Sequence, residues 1–315
     1  MIQSDSSEIK AQINKFAHSQ GFSKVGFTHC KPFIEERERI AEWFFDGFAG
    51  PLDYLSAEKI SDPHHVFPNA KTAIVAFFPY ARPDAVPGSA AGSLKLSRYL
   101  WGPDYHKILK SRLFSLLKYL QSAFPNVDGR VCVDTAPIME RKLAVQAGLG
   151  WQGKNTLLIA GKQGSWGFLG TLLLNMEFEP DPPFGKNRCG TCSRCIDHCP
   201  TNALEPFRLD CRRCLTTWNI EREGNPPREV SDAISRTGWV AGCDICQEVC
   251  PWNGSPTWGD PELWGNPFGL HTSSAAELRA TSSRWKKITD GTALRRVRLR
   301  HWASNLDMAL GGKNG

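Results

Sequence analysis

Between Cys189 and Cys250 the chain places nine of its eleven cysteines, and their spacing constrains the rest of the molecule. Cys189-Gly-Thr-Cys192-Ser-Arg-Cys195-Ile-Asp-His-Cys199-Pro200 reads C-x2-C-x2-C-x3-C-P. In such a run three thiolates hold one [4Fe–4S] cluster and the fourth crosses to a second. Cys243-Asp-Ile-Cys246-Gln-Glu-Val-Cys250-Pro251 repeats the ending without the leading cysteine. The missing ligand must come from the segment between, where Cys211 and Cys214 are the candidates. Crossing puts Cys189, Cys192, Cys195 and Cys250 on one cluster. Cys199, Cys243 and Cys246, with Cys214 or Cys211, hold the other. Zinc prefers two C-x2-C pairs and no C-x3-C-P ending, and disulfides need an oxidising compartment. Clusters move single electrons without making substrate bonds, so the remaining chain must supply the place where electrons are used.

With 315 residues there is room for about two domains. No apolar run approaches the ~20 residues of a membrane span. The opening Met1-Ile-Gln-Ser-Asp-Ser-Ser-Glu8 has no basic stretch followed by an apolar one. These features predict a cytoplasmic protein that does not enter membranes. A net charge of +6 does not by itself argue for nucleic acid, but Arg279 to Arg300 carries eight Lys/Arg against Asp290 alone.

Hydrophobic spacing predicts a helix over 5–20 with Asp5 as cap and a strand over 24–30. A helix over 34–48 turns Trp43, Phe44 and Phe48 inward, and a buried strand follows over 72–78. The Pro/Gly/Ala/Ser-rich stretch 82–93 reads as a lid or surface excursion. Asp104 caps a helix to about Phe124, with Ile108, Leu109, Leu113, Leu116, Leu117 and Leu120 as its core stripe. Arg130–Asp134 reads as a strand, and Thr135 as the cap of a helix to Ala147. Residues 156–160 and 166–174 read as a hairpin through Gly161–Gly164. A proline-rich hinge, 179–185, leads into the cysteines. The fold class is therefore α+β. A mixed α/β domain spans 1–180, a ferredoxin-like two-[4Fe–4S] module 181–256, and a basic C-terminal segment, helical and packed on the core, 257–315.

Gly148-Leu-Gly150-Trp-Gln-Gly153 matches G-x-G-x-x-G. A dinucleotide fingerprint follows a strand and opens a helix, whereas this one follows a helix and opens a strand. It reads instead as a tight turn bringing backbone close to a bulky ligand. His64, His65 and His106 are acid–base candidates, although a lone histidine is more often a surface or satisfied one. Cys30 and Cys132 fall on predicted strands as small hydrophobes. Asp134 ends an apolar strand before a helix, where open α/β sheets place catalytic groups. It reads as an acid–base residue or, more blandly, as a cap.

Taken together, several segments resemble the epoxyqueuosine reductase family, cobalamin and iron–sulfur enzymes that complete queuosine in tRNA. They are Leu96-Ser-Arg-Tyr99 with Gly102-Pro-Asp-Tyr-His106, and Asp134-Thr-Ala-Pro-Ile-Met-Glu-Arg141 with Ala147-Gly-Leu-Gly-Trp-Gln-Gly-Lys-Asn155. Leu209-Asp-Cys-Arg-Arg-Cys214, Gly242-Cys-Asp-Ile-Cys-Gln247 and Cys250-Pro-Trp-Asn253 complete the match. The family has alanine where Cys211 stands, so the resemblance implies Cys214 as the eighth cluster ligand. It implies Asp134 as proton donor, and Asp134, Leu158, Leu169, Thr216, Ala241 and Gly242 as cobalamin contacts. Asp62-Pro-His64 lacks the glycine of a D-x-H-x-x-G cobalt-ligand motif, in keeping with a family whose cobalt takes no protein histidine. Longer members continue into a helical-repeat domain that grips tRNA, so the resemblance is to a short form.

The activity implied is reductive deoxygenation of epoxyqueuosine to queuosine in tRNA, by a monomer fed from an external low-potential electron donor. Asp134 would deliver the proton, from a carboxyl whose pKa is raised by burial. Trp218, Trp252 and Trp258, with Arg284, Lys286, Arg295, Arg296, Arg298 and Arg300, are available to an RNA loop. Two rivals differ in class. A reductive dehalogenase would act on small organohalides, and an electron-transfer ferredoxin would have no use for a corrin.

Overall fold

The computed structural model describes residues 3–52, 56–82, 94–221, 224–263, 275–279 and 281–311. Its centre is a four-stranded sheet of β1 (Lys24–His29), β2 (Thr72–Pro79), β3 (Gly129–Cys132) and β4 (Gly167–Leu174). The spatial order is β1-β2-β4-β3, with every neighbouring pair antiparallel. β2 is buried along its whole length, and its residues alternate between two cores as the two-residue period of a strand requires. Ile74, Ala76 and Phe78 enter one core with α1 (Gln3–Ser19) and α3 (Tyr105–Ala123). Ala73, Val75 and Phe77 enter the other with α4 (Glu140–Gln146). Helices thus cover both faces, and an α+β class is what the chain adopts.

Most elements lie where apolar spacing puts them. α3 begins at the Asp104 cap, whose side chain accepts the His106 amide, and buries Leu109, Leu113, Leu116, Leu117 and Leu120. α2 (Ile34–Phe45) has no fully buried residue; Trp43 is half-buried and donates to the Leu209 carbonyl at 2.6 Å. α1 is described from Gln3, so Asp5 lies within the helix rather than capping it. The predicted lid falls, apart from Arg82, outside the described residues.

Three expectations fail. Residues 158–159 and β4 are not a hairpin: Leu158–Ile159 pairs with Trp151–Gln152, whereas β4 joins the main sheet. Thr135 does not cap α4, because the chain bends through 134–139 and the helix starts only at Glu140. The stretch 179–185 is a strap rather than a hinge. Asp181 pairs with Lys10 at 2.7 Å and accepts the Phe27 amide, while the Phe184 amide donates to Val145.

The C-terminal segment completes the core. Trp285, Ile288, Leu294, Val297, Trp302 and Leu306 join the same cluster as α1 and α3, while Arg284, Lys286, Lys287, Arg295, Arg296, Arg298 and Arg300 stay on the outside. It also fixes the start of α3, since the Asp104 amide donates to the Gly291 carbonyl at 2.7 Å. No helix among the described residues is long and apolar enough to cross a membrane.

Candidate active site

Eight cysteines fall into two sets. Cys189, Cys192, Cys195 and Cys250 line one cavity of ≈ 110 Å³, together with Lys154, Asn155, Arg188, Arg194 and Trp252. Cys199, Cys214, Cys243 and Cys246 lie together deeper. Burial first, and then their closeness to one another, push the Cys214, Cys243 and Cys246 thiols up. Cys246 also feels Cys195, so the two sets adjoin. Backbone amides point at the sulfurs. Ala203 donates to Cys199 Sγ at 3.3 Å, Thr216 and Thr217 to Cys214, Ile245 to Cys243, and Trp252 and Asn253 to Cys250. Donors of this kind stabilise thiolates rather than neutral thiols, so the donor set fits iron–sulfur cubes. Cys211 stands apart: it is buried, bonded to Thr217 and pushed up to about 12 by burial.

The glycine-rich turn serves the first set. Lys154 Nζ donates to the carbonyls of Gly190 and Cys192 at 2.8 and 3.0 Å, clamping the cysteine loop. That contact is made by a side chain, whereas the backbone of the turn packs closely on the chain itself, with no room for a Cβ on Gly150 against the Ile159 carbonyl.

Asp134 sits beyond the end of β3 at φ 57. Thr135 N–H bonds back to the Val133 carbonyl across it at 2.6 Å, a tight turn that few side chains tolerate. Such strain is kept where surrounding contacts over-determine it, and here they do. The Asp134 amide donates to Glu140 Oε1 at 3.1 Å, and its carboxylate accepts from His106 Nε2 at 3.0 Å and from the Tyr105 hydroxyl. The other imidazole nitrogen, Nδ1, lies 2.8 Å from Asp104 Oδ1. A carboxylate at each ring nitrogen favours the protonated form of His106, since a neutral ring would aim a lone pair at one of them. His106 is accordingly raised, its carboxylate partners outweighing burial.

The Asp134 carboxyl is lowered, first by the His106 hydrogen bond. This overturns the expected raised pKa: the neighbouring cation outweighs desolvation, and half of the side chain stays exposed. The carboxyl that burial does raise, to about 8, is Glu140.

From Asp134 a chain of contacts reaches the cysteine-bearing half of the molecule at Gly242. Tyr105 stacks on Phe168 at 3.9 Å and meets Tyr99 edge-on at 6.3 Å. Tyr99 and Ser97 abut Gly242, whose φ of +68 and lack of room for a Cβ demand glycine. Asn219 clasps Gly242 by both its N–H and its carbonyl. Arg141, whose charge is felt by Cys211, donates to the Thr156 carbonyl at 2.8 Å. Leu158 and Leu169 belong to one core. Asp134 and Arg141 are exposed and Leu169 and Thr216 half-exposed, while Leu158, Ala241 and Gly242 are buried.

Two family models match the chain: "Epoxyqueuosine reductase QueG, DUF1730" over residues 61–135 and a "4Fe-4S double cluster binding domain" over 188–253. An epoxyqueuosine reductase of Synechococcus sp. (strain CC9605) is 36% identical over 300 residues, covering 93% of this chain and 92% of the relative. This chain belongs to the epoxyqueuosine reductase family. An epoxyqueuosine reductase crystallised with a tRNA-TYR epoxyqueuosine-modified tRNA stem loop superposes at a TM-score of 0.87 with 28% identity, over 97% of this chain and 81% of that one. The Bacillus subtilis epoxyqueuosine reductase, solved with its Asp134 catalytic loop swung out of the active site, gives 0.85 with 28% identity, over 97% and 82%.

As a member of the epoxyqueuosine reductase family the chain is an oxidoreductase with a double-cluster domain. Sequence reasoning underweighted two of its site residues. His106 was one of several lone histidines, yet its Asp-x-His spacing from Asp104 was a usable signal. Arg296 read as part of a basic tail, whereas its charge helps lower Asp134 and it pairs with Glu221 at 2.5 Å. Trp252 is taken up at the cysteine cavity against Trp151, while Trp258 stays exposed.

Proposed function

We propose that this protein reductively deoxygenates epoxyqueuosine in tRNA to queuosine, acting as a monomer fed by an external low-potential donor. One observation carries the reading. A strained, half-exposed Asp134 is hydrogen-bonded to His106, whose other ring nitrogen meets Asp104, in a chain that also gathers two adjoining sets of four cysteines. The relative solved with an epoxyqueuosine-modified stem loop supports the substrate, and the Bacillus subtilis relative's catalytic loop supports the role of Asp134. The cluster ligands are Cys189, Cys192, Cys195 and Cys250 for one cube and Cys199, Cys214, Cys243 and Cys246 for the other. The family resemblance implies cobalamin. Half-exposed Leu169 and Phe168 would give it apolar surface, and Asp134, Arg141 and Thr216 polar groups that stay open to solvent. Its contacts would include Asp134, Leu158, Leu169, Thr216, Ala241 and Gly242.

When bound, these cofactors supply low-potential electrons at the epoxide carbon. The chain's own residues manage the proton. Two electrons and two protons convert the epoxide to an alkene and water, and breaking the C–O bond leaves an alkoxide, a poor leaving group. Positioned proton donation to such an oxygen is typically worth ~10²–10⁴ in rate. Asp134 reaches the substrate oxygen and passes on the His106 proton across their hydrogen bond, so the acid is the pair; the second proton comes from solvent, to which half of the Asp134 side chain is open. The exposed cation Arg284 is available to phosphates of the stem loop.

The test is an anaerobic assay on epoxide-bearing tRNA with reconstituted protein, added cobalamin and a chemical reductant. Asp134→Ala should keep iron and cobalamin yet lose turnover; full activity in that variant would remove Asp134 from the reaction.

A further inference from the structure

The entry point for electrons is legible in the charges around the first cysteine set. Its cavity is bordered by Lys154, Arg188 and Arg194, and none of the three has a carboxylate partner among the described residues. Several arginines elsewhere are paired, Arg98 with Glu248, Arg112 with Asp260, Arg213 with Glu229 and Arg279 with Asp307; what sets this group apart is that its three cations border one cysteine cavity. The three differ from one another. Lys154 is half-buried and spends its donors on the Gly190 and Cys192 carbonyls. Arg188 and Arg194 are exposed on either side of Cys189 and Cys192. The nearby carboxylate of Asp197 accepts from Ser193 at 2.6 Å. Arg188 lies over the Phe184 ring at 5.3 Å, anchored by the 179–185 strap.

Exposed guanidinium groups are screened by water and contribute little to the stability of a buried cluster. Uncompensated positive charge around a redox centre instead steers an oppositely charged partner and fixes its approach. The deeper set adjoins buried Ala241, Gly242 and Asp244, and Arg213 beside Cys214 is neutralised by Glu229 at 3.0 Å.

We propose that the Arg188–Arg194 rim is the docking surface for a small acidic one-electron carrier protein, which delivers electrons to the cluster of Cys189, Cys192, Cys195 and Cys250. This rests on the two-cluster reading above. In each encounter one electron leaves the carrier and reduces the cluster from the 2+ to the 1+ state, with no bond or proton exchanged. Two encounters supply one turnover. The rival use of the rim, contact with tRNA phosphates, is an outcome of the test.

The probe is a reduced acidic plant-type [2Fe–2S] ferredoxin mixed with reconstituted enzyme in a stopped-flow spectrometer, with cluster bleaching as readout. The double variant Arg188→Glu/Arg194→Glu should retain its iron and its turnover with titanium(III) citrate. Its second-order rate of reduction by ferredoxin should fall about tenfold or more, and the salt dependence seen in the parent should flatten or reverse. Arg188→Gln/Arg194→Gln should give a smaller loss of the same kind, and binding of oxidised ferredoxin, followed by calorimetry, should weaken in parallel. Unchanged ferredoxin kinetics in a variant with full iron content would overturn the docking site, as would a loss confined to tRNA binding. Absence of turnover with titanium(III) citrate in the parent would instead count against the proposed function.

Discussion

His106 Nε2 lies 3.0 Å from Asp134 Oδ2, joining the first turn of α3 to the loop after β3. With Asp104 on the other ring nitrogen, this contact raises the imidazole and lowers the carboxyl, so the proposed reaction starts with the proton favoured on His106. Activity should therefore follow the raised His106 group. The site is charged for proton delivery below that pKa and loses its proton as pH rises through it. Single-turnover rates should fall along one limb at alkaline pH, and His106→Gln should abolish the limb and slow the reaction by about 10²–10⁴. A His106→Gln profile that keeps the limb would assign it to another group.

The same pair has a stability window. The lowered Asp134 contributes above its ordinary value of 3.8 and loses that contribution as pH falls; the raised His106 contributes below and loses it as pH rises past 6.5. Asp134→Asn should narrow the difference in melting temperature between pH 5 and pH 8, measured by calorimetry.

Cys211 and Cys214 should separate cleanly in an iron assay. Cys214→Ala should reduce iron from about eight per chain to about four. Cys211→Ala should keep both clusters and cost about 1 kcal/mol for a small buried void. The reverse result would exchange their roles.

Glu140 is neutral at pH 7, because burial raises it to about 8. Glu140→Gln keeps an acceptor for the Asp134 amide and removes the ionisation. Between 4.5 and about 8 the unfolded chain is ionised and the folded site is not, so the parent loses stability as pH rises. The Gln variant should show a melting temperature gain that grows across that window. Glu140→Ala should loosen the loop and lower turnover with iron intact.

Asn219 is fully buried, and its side chain serves the carbonyls of Trp239 and Gly242 and the amide of Gly242. Asn219→Ala leaves those groups without partners, at about 1–3 kcal/mol each. Denaturant unfolding should show the loss, and the cluster next to Gly242 should be released at lower denaturant than the rest of the fold.

Cysteine spacing, helix stripes and strand alternation could be read from the chain because each is a local pattern with one physical cause. Thiolate number follows cluster chemistry, and the Leu109–Leu120 stripe follows the helical repeat. The hairpin reading of 156–174 failed because pairing partners are chosen by burial across the whole sheet, which no short window contains. Thr135 failed as a cap because the strain at Asp134 depends on contacts made from α3 and α4.

By itself, then, the sequence determined the iron–sulfur half of this protein, since ligand identity and spacing are covalent facts. Only the tertiary structure decided the acid. Asp104, His106, Asp134, Glu140 and Arg296 come from four separate stretches, and a carboxyl's proton affinity is set by the charges around it in space rather than by its neighbours along the chain.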